Sequence, residues 1–305
     1  MTSRRRFVLV DVFADRPLAG NPLAVFPEAE GLTDPAMHAI AREMDHPATA
    51  FLFPSEEPGA VFRLRIFSRD REIPFAGHPA LGAHFVHALE SRLPLDEPVT
   101  RRAHEGPEGL VRVELRVEAG RITMLRLTQR APVLGKRLSD PETALAAEAL
   151  GVDEQVIQAT NQPVRECSTG LPVLIVPIAT LEALQGARPR YGQLRTLLEG
   201  RVASIVYAFT KETISASSAA HARAFDTASS VEIPGAGAAA GALAAYLVSQ
   251  AAVTVTPVTS LVIEQGHVLN RPSTLYAEVH VKEGEISQVI VGGRVIRVGE
   301  GILEL

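Results

Sequence analysis

The chain of 305 residues has no tryptophan, a single cysteine and few other aromatic side chains, 4 Tyr and 11 Phe. An interior built from this inventory must be aliphatic, filled by Leu, Val, Ile and Ala. A lone Cys167 excludes an intrachain disulfide and fits a reducing, cytoplasmic setting. Clustered basic residues are absent beyond Arg4-Arg5-Arg6, and the net charge is −5 with a pI near 6.0. Nucleic acid is therefore not an expected partner, because neutralising a phosphate backbone needs grouped Lys and Arg. The nine histidines form no H-x-x-x-H or H-E-x-x-H pair, and one cysteine cannot make a multi-thiolate site, so no metal is expected. His84 and His87 lie three apart on one predicted helix but lack a third ligand. No charge occurs between Glu232 and Glu264. A span of that length could cross a bilayer. Its Ala and Gly content, with breaks at Ser249-Gln250 and Pro257, reads instead as a buried helix followed by a buried strand, so no membrane is expected. Near the start, Asp11 ends the apolar run Phe7-Val8-Leu9-Val10 too early for a signal peptide.

Against these absences stands a repeat. The six residues EIPFAG at 72–77 recur as EIPGAG at 232–237, five of the six identical. Each copy follows a strand-like stretch ending in R-x-F, Arg65-Ile66-Phe67 and Arg223-Ala224-Phe225. Each runs into a small, apolar, helix-like stretch, Pro79 to Leu89 and Ala238 to Val248. Two like strand–turn–helix units predict two similar domains facing each other. A Gly-bearing turn at a helix start leaves backbone N–H groups unpaired at a positive dipole end. Two such ends at one cleft would suit an anion, most simply a carboxylate. The alternative is chance recurrence of Ala, Gly and Pro, which the matched context argues against.

The rest of the chain reads as many short strands. Phe7–Phe13, Leu23–Phe26, Thr49–Phe53 and Val61–Phe67 are predicted strands of the first half, and 111–117 with 122–127 a hairpin. Asp34-Pro35 predicts a helix with Asp34 as its cap and proline at the first helical position. Residues 132–140 read as an interdomain link, and a helix over 142–150 ends at Gly151. Strands over 171–178, 203–209, 253–264 and 275–281 follow, with more beyond 286. The fold class is α+β. Its domains are 1–131, joined by a returning strand at 299–305, and 132–298. A helix made of Ala and Gly can be surrounded closely by a curved sheet, so each half is expected to wrap a sheet around one buried helix.

Several segments together make the chain resemble the phenazine-biosynthesis PhzF-like isomerases, of the diaminopimelate-epimerase fold. They are Val10-Asp11-Val12-Phe13, Gly20-Asn21-Pro22-Leu23-Ala24-Val25, Arg65-Ile66-Phe67, Pro74-Phe75-Ala76-Gly77-His78-Pro79, Ser168-Thr169-Gly170-Leu171-Pro172, residues 235–247, and Gln265-Gly266 with Arg271-Pro272-Ser273. The resemblance implies two pseudo-symmetric domains, each a barrel-like sheet around a central helix, with the active site between them. It implies cofactor-free proton transfer on small unsaturated or amino acids, and a homodimer. It places the last strand beside the first ones.

The chemistry departs from that pattern. The family's proton-transferring glutamate sits in N-L-S-E-T-x-F, and Ala48 stands at its place here. The family's E-D-P-A-T-G-S-A-A-G is E-I-P-G-A-G-A-A-A-G here, with Ile233 for aspartate, Ala236 for threonine and Ala238 for serine. Of the usual polar lining only His78 clearly stays. His78 reads either as a general acid/base or as a cap of its helix. Asp45 reads either as a replacement base or as a solvated turn residue before Pro47. Glu72 and Glu232 read as complementing the helix dipoles or hydrogen-bonding across the pseudo-symmetric pair, with a role as base the alternative, and Cys167, at a loop edge beside Ser168-Thr169-Gly170, reads as packing rather than as a reactive thiol. Asn21 is a binding residue by resemblance or else a turn former, and Ser168 is carried by the resemblance alone. Gly77, Gly235, Ala236, Gly237 and Ala238 are expected to bind substrate through backbone N–H groups, which survive the loss of side chains. The expected function is a cofactor-independent isomerase acting on a small conjugated carboxylic acid of a specialised-metabolite, antibiotic-type pathway, such as a precursor of an alkylated proline. The alternative is a retired member that binds a carboxylate or a protein partner.

Overall fold

A computed structural model describes residues 4–74, 77–90, 94–107 and 109–305. From the N-terminus the chain forms β1 (Arg4–Val12), β2 (Asn21–Phe26), α1 (Asp34–Met44), β3 (Ala48–Phe53), β4 (Arg63–Phe67), α2 (His78–Glu90), β5 (Val99–Gly106), β6 (Gly109–Glu118) and β7 (Arg121–Thr128). There follow β8 (Val133–Arg137), α3 (Asp140–Leu150), α4 (Gln155–Gln158), β9 (Arg165–Ser168), β10 (Pro172–Pro177), α5 (Leu181–Gly186), α6 (Tyr191–Leu198), β11 (Ile205–Thr210), β12 (Ala220–Asp226), β13 (Val231–Ile233) and α7 (Gly237–Ser249). The chain ends with β14 (Val258–Gln265), a 3-10 turn over His267–Leu269, β15 (Ser273–Lys282), β16 (Glu285–Gly293) and β17 (Val295–Glu304). It divides into two compact units, residues 1–128 with 292–305, and residues 129–291. Among the described residues no helix is long and apolar enough to cross a membrane.

In the first unit β1 lies antiparallel between β17 and β2, with Arg4 opposite Glu304 and Val12 opposite Asn21. β2 runs parallel to β3 with Leu23 beside Ala48, and β3 antiparallel to β4. β5, β6 and β7 form a meander. Strands of period two sort their side chains to two faces. Ala24, Phe26, Phe51, Phe53 and Phe67 pack with Met37, Ile40 and Ala41 of α1 on one of them. Leu23, Val10 and Val12 meet α2 on the other, so closely that a methyl group on Gly82 would collide with Leu23 and approach Val10 to 3.2 Å. α2 is buried from Pro79 through Val86, so it has no solvent face along that stretch. The cap of α1 lies one residue earlier than the sequence suggests. Thr33, in extended conformation, accepts from Ala36 N through its hydroxyl, and Asp34 begins the helix.

The second unit repeats the arrangement with different lengths. β9 and β10 are antiparallel, β10 and β11 parallel, and β11, β12 and β13 antiparallel in turn. β14 joins β12 in parallel and β15 in antiparallel register. Leu174, Val176, Val206, Ala208 and Phe225 form one face, covered by α3, α5 and α6. α7, GAAAGALAAYLVS, is buried along twelve of its 13 residues. Residues 132–140, read from sequence as a link, contain a strand: β8 pairs with β9, Val133 opposite Ser168. Cys167 lies inside β9, paired with Val173, rather than at a loop edge. Burial pushes its thiol up to about 12, which leaves it a packing group.

The repeated E-I-P turn has a common physical cause. In the first unit Arg65 Nε and Nη2 donate to the two oxygens of Glu72 at 2.8 and 2.7 Å, and in the second Arg223 does the same to Glu232 at 2.9 and 2.7 Å. Each guanidinium also lies over the phenylalanine two residues on, 5.1 Å from Phe67 and 5.0 Å from Phe225. The glutamate therefore fastens the turn to the strand before it, within its own unit. The copies differ in burial. Arg223 is 4% exposed and also donates to the carbonyls of Leu184 and Ala187, whereas the Arg65 side chain is 24% exposed and shares Asp34. Glu232→Leu strands a buried cation and should cost about 3–5 kcal/mol. Glu72→Leu, on the solvated pair, should cost no more than about 1 kcal/mol. Urea unfolding of the two variants beside the parent measures both, and equal losses would contradict this account.

Candidate active site

In the first unit the sequence-derived residues gather where β2 enters the sheet and α2 begins. The loop before β2 is held by Asp11, a buried carboxylate on β1 whose Oδ2 accepts from Leu18 N at 2.7 Å. Phe13, Leu18 and Gly20 take left-handed conformations in that loop, and it delivers Asn21, wholly buried, to the first position of β2. The Asn21 side-chain amide lies 3.4 Å from His78 Nδ1, and His78 is the first residue of α2. The backbone carbonyl of Gly77 accepts from Ala80 N at 3.2 Å, closing the helix's first turn. Phe75 and Ala76, part of the motif that identified this turn, lie outside the described residues.

His78 keeps some exposure as a residue, but its Nε2 is shielded from solvent and has no hydrogen-bond partner among the described residues. Burial pushes the imidazole down to about 3, so the ring is neutral at physiological pH. With the Asn21 amide nitrogen as donor, Nδ1 accepts and the ring proton sits on Nε2. Turning the Asn21 amide over makes its oxygen the acceptor, moves the proton to Nδ1 and leaves Nε2 bare. The pair can present either a donor or an acceptor at Nε2.

Ala48, beside Leu23 in parallel register, is on the α2 face of the sheet and is fully buried. It carries no group able to move a proton. Asp45 is the left-handed C-cap of α1, and its exposed carboxylate accepts from Arg69 Nη1 at 2.9 Å. To act as a base it would have to leave that ion pair.

In the second unit Ile233 ends β13, and the turn 234–236 leads into α7 at Gly237. Gly235, Ala236, Gly237 and Ala238 are all buried, and the N-cap residue Ala236 makes no side-chain cap. Side chains hold the turn's carbonyls instead. Gln265 Nε2 donates to Ile233 O at 2.6 Å, Ser273 Oγ to Pro234 O at 2.8 Å, Gln129 Nε2 to Gly237 O at 3.1 Å and Thr169 Oγ1 to Ala238 O at 3.2 Å. Ala236 N donates to Gln265 Oε1 at 3.3 Å, an oxygen that also accepts from Tyr207 OH at 2.9 Å. Ser168 serves a neighbouring turn, its Oγ accepting from Gly170 N at 3.1 Å.

Sequence reasoning named Thr169, Gln265 and Ser273 only as parts of patterns, and it did not name Gln129 or Tyr207. Spacing gives no signal for such supports, because their partners are backbone atoms far along the chain or, for Tyr207, the Gln265 side chain. Among the described residues no group of three or more His, Cys, Asp or Glu side chains is placed to hold a metal ion.

Comparison with known proteins gives these features a lineage. A family model described as phenazine biosynthesis-like protein matches residues 10–301. An uncharacterized isomerase of Mesorhizobium japonicum is 33% identical over 312 residues, covering 98% of this chain and 98% of its own. The trans-2,3-dihydro-3-hydroxyanthranilate isomerase of Pseudomonas fluorescens is 27% identical, covering 98% of this chain and 99% of that one. Among solved structures, one titled as a predicted epimerase from Pseudomonas aeruginosa superposes with a TM-score of 0.82 at 34% identity, covering 98% of this chain and 99% of that one. Match, coverage and a sheet-wrapped helix in each unit agree: the chain belongs to the phenazine biosynthesis-like (PhzC–PhzF) family of isomerases.

Proposed function

We propose that this protein is a cofactor-independent isomerase that moves a double bond in a small conjugated carboxylic acid by carrying one proton from carbon to carbon. The observation that carries the reading is His78, a neutral imidazole with a shielded, unpartnered Nε2 at the first residue of α2. The family's isomerase chemistry supports it, as does the name of the Pseudomonas relative, an isomerase of a dihydro-hydroxyanthranilate. The substrate's carboxylate would be held by backbone N–H groups at a helix start, the role expected of Gly77 and of Gly235, Ala236, Gly237 and Ala238.

The steps balance without a co-reactant. Bare Nε2 takes a proton from a carbon next to the conjugated system. The C–H bond breaks, an N–H bond forms, and the electron pair spreads into the carboxylate-bearing π system. Asn21, its oxygen turned to Nδ1–H, steadies the ring while it is positively charged. The proton then returns from Nε2 to a different carbon of the same molecule, and the double bond has moved. A buried imidazole is a weak base, so the reading requires a substrate with an acidic C–H, as extended conjugation provides. The niche it fits is a specialised-metabolite pathway, with an alkylated-proline precursor as substrate and a cytoplasmic homodimer as the working form.

One observation favours a second reading. Ala48, Ile233, Ala236 and Ala238 offer no acid or base, so the protein would bind a carboxylate without turning it over. Incubation with conjugated acids such as sorbate in deuterated water separates the two. Solvent deuterium should enter carbon positions, and His78→Ala should slow that entry by about 10²-fold or more. Binding without exchange, unchanged in His78→Ala, would establish the second reading.

The protonation state has its own consequence. His78 and His104 are pushed down to about 3 and about 4 from an ordinary 6.5, both by burial. The native state keeps them neutral, while the unfolded chain protonates them near 6.5. Their contribution is therefore complete above pH 6.5 and is lost as pH falls from there toward 4 and then 3. Long-range ¹H–¹⁵N spectra at pH 5 should still show both rings neutral, and the urea midpoint should decline progressively below pH 6.5. Imidazolium signals for His78 at pH 5 would contradict the burial described.

A further inference from the structure

The turn that starts α7 is treated by the protein in a one-sided way. Four of its acceptors, the carbonyls of Ile233, Pro234, Gly237 and Ala238, each receive a hydrogen bond from a side chain. Its N-cap residue, Ala236, has no side chain able to cap a helix amide. Occupying the carbonyls removes hydrogen-bond acceptors from the turn, which disfavours a cation there.

Gln265 is the member of this set that handles both signs. Its amide orientation is fixed by chemistry. Ile233 O can only accept, so the NH₂ must face it, and Ala236 N–H can only donate, so the oxygen must face that. Tyr207 OH donates to the same oxygen, and both Tyr207 and Gln265 are wholly buried. Burial drives the Tyr207 phenol upward, so it stays protonated and remains a donor. Gly266, the next residue, is left-handed (φ +78°), and a Cβ there would come within 2.6 Å of Pro234 O. The backbone of the Gln-Gly pair thus lies directly against the turn that Gln265 ties down. Ser273 reaches the same Pro234 carbonyl from β15. The sequence pattern Gln265-Gly266…Arg271-Pro272-Ser273 has a physical meaning here: it cradles the E-I-P-G-A-G turn.

We infer that Gln265 is a positioning residue of the active site, acting through Ala236 and Ile233 to set the direction of the amides at the start of α7. The inference rests on the reading that these amides receive the substrate's carboxylate. Gln265 itself touches no substrate. It fixes the peptide planes on either side of Pro234 and Gly235, and Tyr207 fixes Gln265.

The test uses an isostere whose hydrogen-bonding character changes with pH. In Gln265→Glu a protonated carboxyl has one O–H for Ile233 O and one carbonyl oxygen for Ala236 N–H and Tyr207 OH, as the amide has. Once ionised it has acceptors only and repels Ile233 O. Gln265→Leu keeps the bulk and loses both bonds at every pH. Three readouts are taken on the full chain: the ¹⁵N–¹H shift and amide exchange of Ala236, the ¹³C shift of the introduced side-chain carboxyl as a gauge of its protonation, and affinity for sorbate. Gln265→Leu should shift the Ala236 signal, speed its exchange and weaken sorbate about tenfold, the cost of one unsatisfied buried group. Gln265→Glu should match the parent where its carboxyl is protonated and match Gln265→Leu where it is ionised. A Leu variant indistinguishable from the parent overturns the inference. So does a Glu variant that stays impaired while protonated, because packing would then be the whole effect. If the parent binds no sorbate, it is the carboxylate reading that fails for this probe, and the Ala236 signals alone still decide the role of Gln265.

Discussion

Arg223 and Glu232 meet through two parallel N–H···O contacts, and Arg65 and Glu72 meet in the same way. In each case a strand and the turn that follows it are locked at a fixed spacing, with the arginine flattened on a phenylalanine of its own strand. The starts of α2 and α7 inherit their positions from this contact. A planar fork facing a carboxylate restricts both distance and angle, which a single lysine contact would not. Arg223 is so deeply placed that its pair cannot be justified by Coulomb attraction alone, since taking two charges out of water cancels much of that gain. Its value is geometric. It specifies one placement of the turn among several that apolar packing would tolerate.

The helices that follow those turns show why the side-chain chemistry could thin out without loss of the fold. α7 is held by close backbone approach, and Gly241 is one position where bulk is impossible: a methyl group there would collide with the Gln129 side chain and lie 3.1 Å from Thr169 Oγ1. Gly82 plays the corresponding part for α2 against Leu23 and Val10. Small residues along a buried helix satisfy packing wherever a polar side chain is absent. Ala238 needs no side-chain partner at the start of α7, and its carbonyl keeps the Thr169 contact. On this footing, loss of acid–base groups from such a helix start would leave the fold standing.

Much of this was legible in the sequence, for reasons that can be named. The E-I-P repeat marked both turns because a near neighbour in the chain supplies the partner: the glutamate answers an arginine only seven or nine residues earlier. α7 was visible as a charge-free run of Ala and Gly, and α1 as a Pro-initiated periodic stretch. Its cap slipped by one residue because Thr33 and Asp34 are both competent caps, and only the extended backbone at Thr33 chooses between them. β8 escaped notice because Val133-Leu134-Gly135-Lys136-Arg137 is largely exposed and lacks an alternating pattern; its strand state comes from pairing with β9, a tertiary cause. The supports of the α7 turn were invisible for a related reason. Gln129, Thr169 and Gln265 reach backbone atoms, Tyr207 acts through Gln265, and a backbone atom leaves no trace in the residue alphabet.

The same distinction bears on what kind of catalyst a site with one imidazole can be. A carboxylate base near a helix start would be stabilised by the dipole, whereas an imidazole there is held neutral, because both burial and the positive helix end oppose its protonated form. Were His78 the proton carrier, it would begin each cycle uncharged and give up an acquired proton readily. Such a group is a poor base and a good relay. It suits a reaction in which the same proton is taken and returned within one molecule, and in which conjugation to a bound carboxylate already carries the negative charge. An amide-lined helix start that binds the acid would then contribute electrostatically to the step itself, since charge grows toward the carboxylate as the proton leaves. Backbone donors at such a start would take over part of the work that a second titrating side chain performs elsewhere.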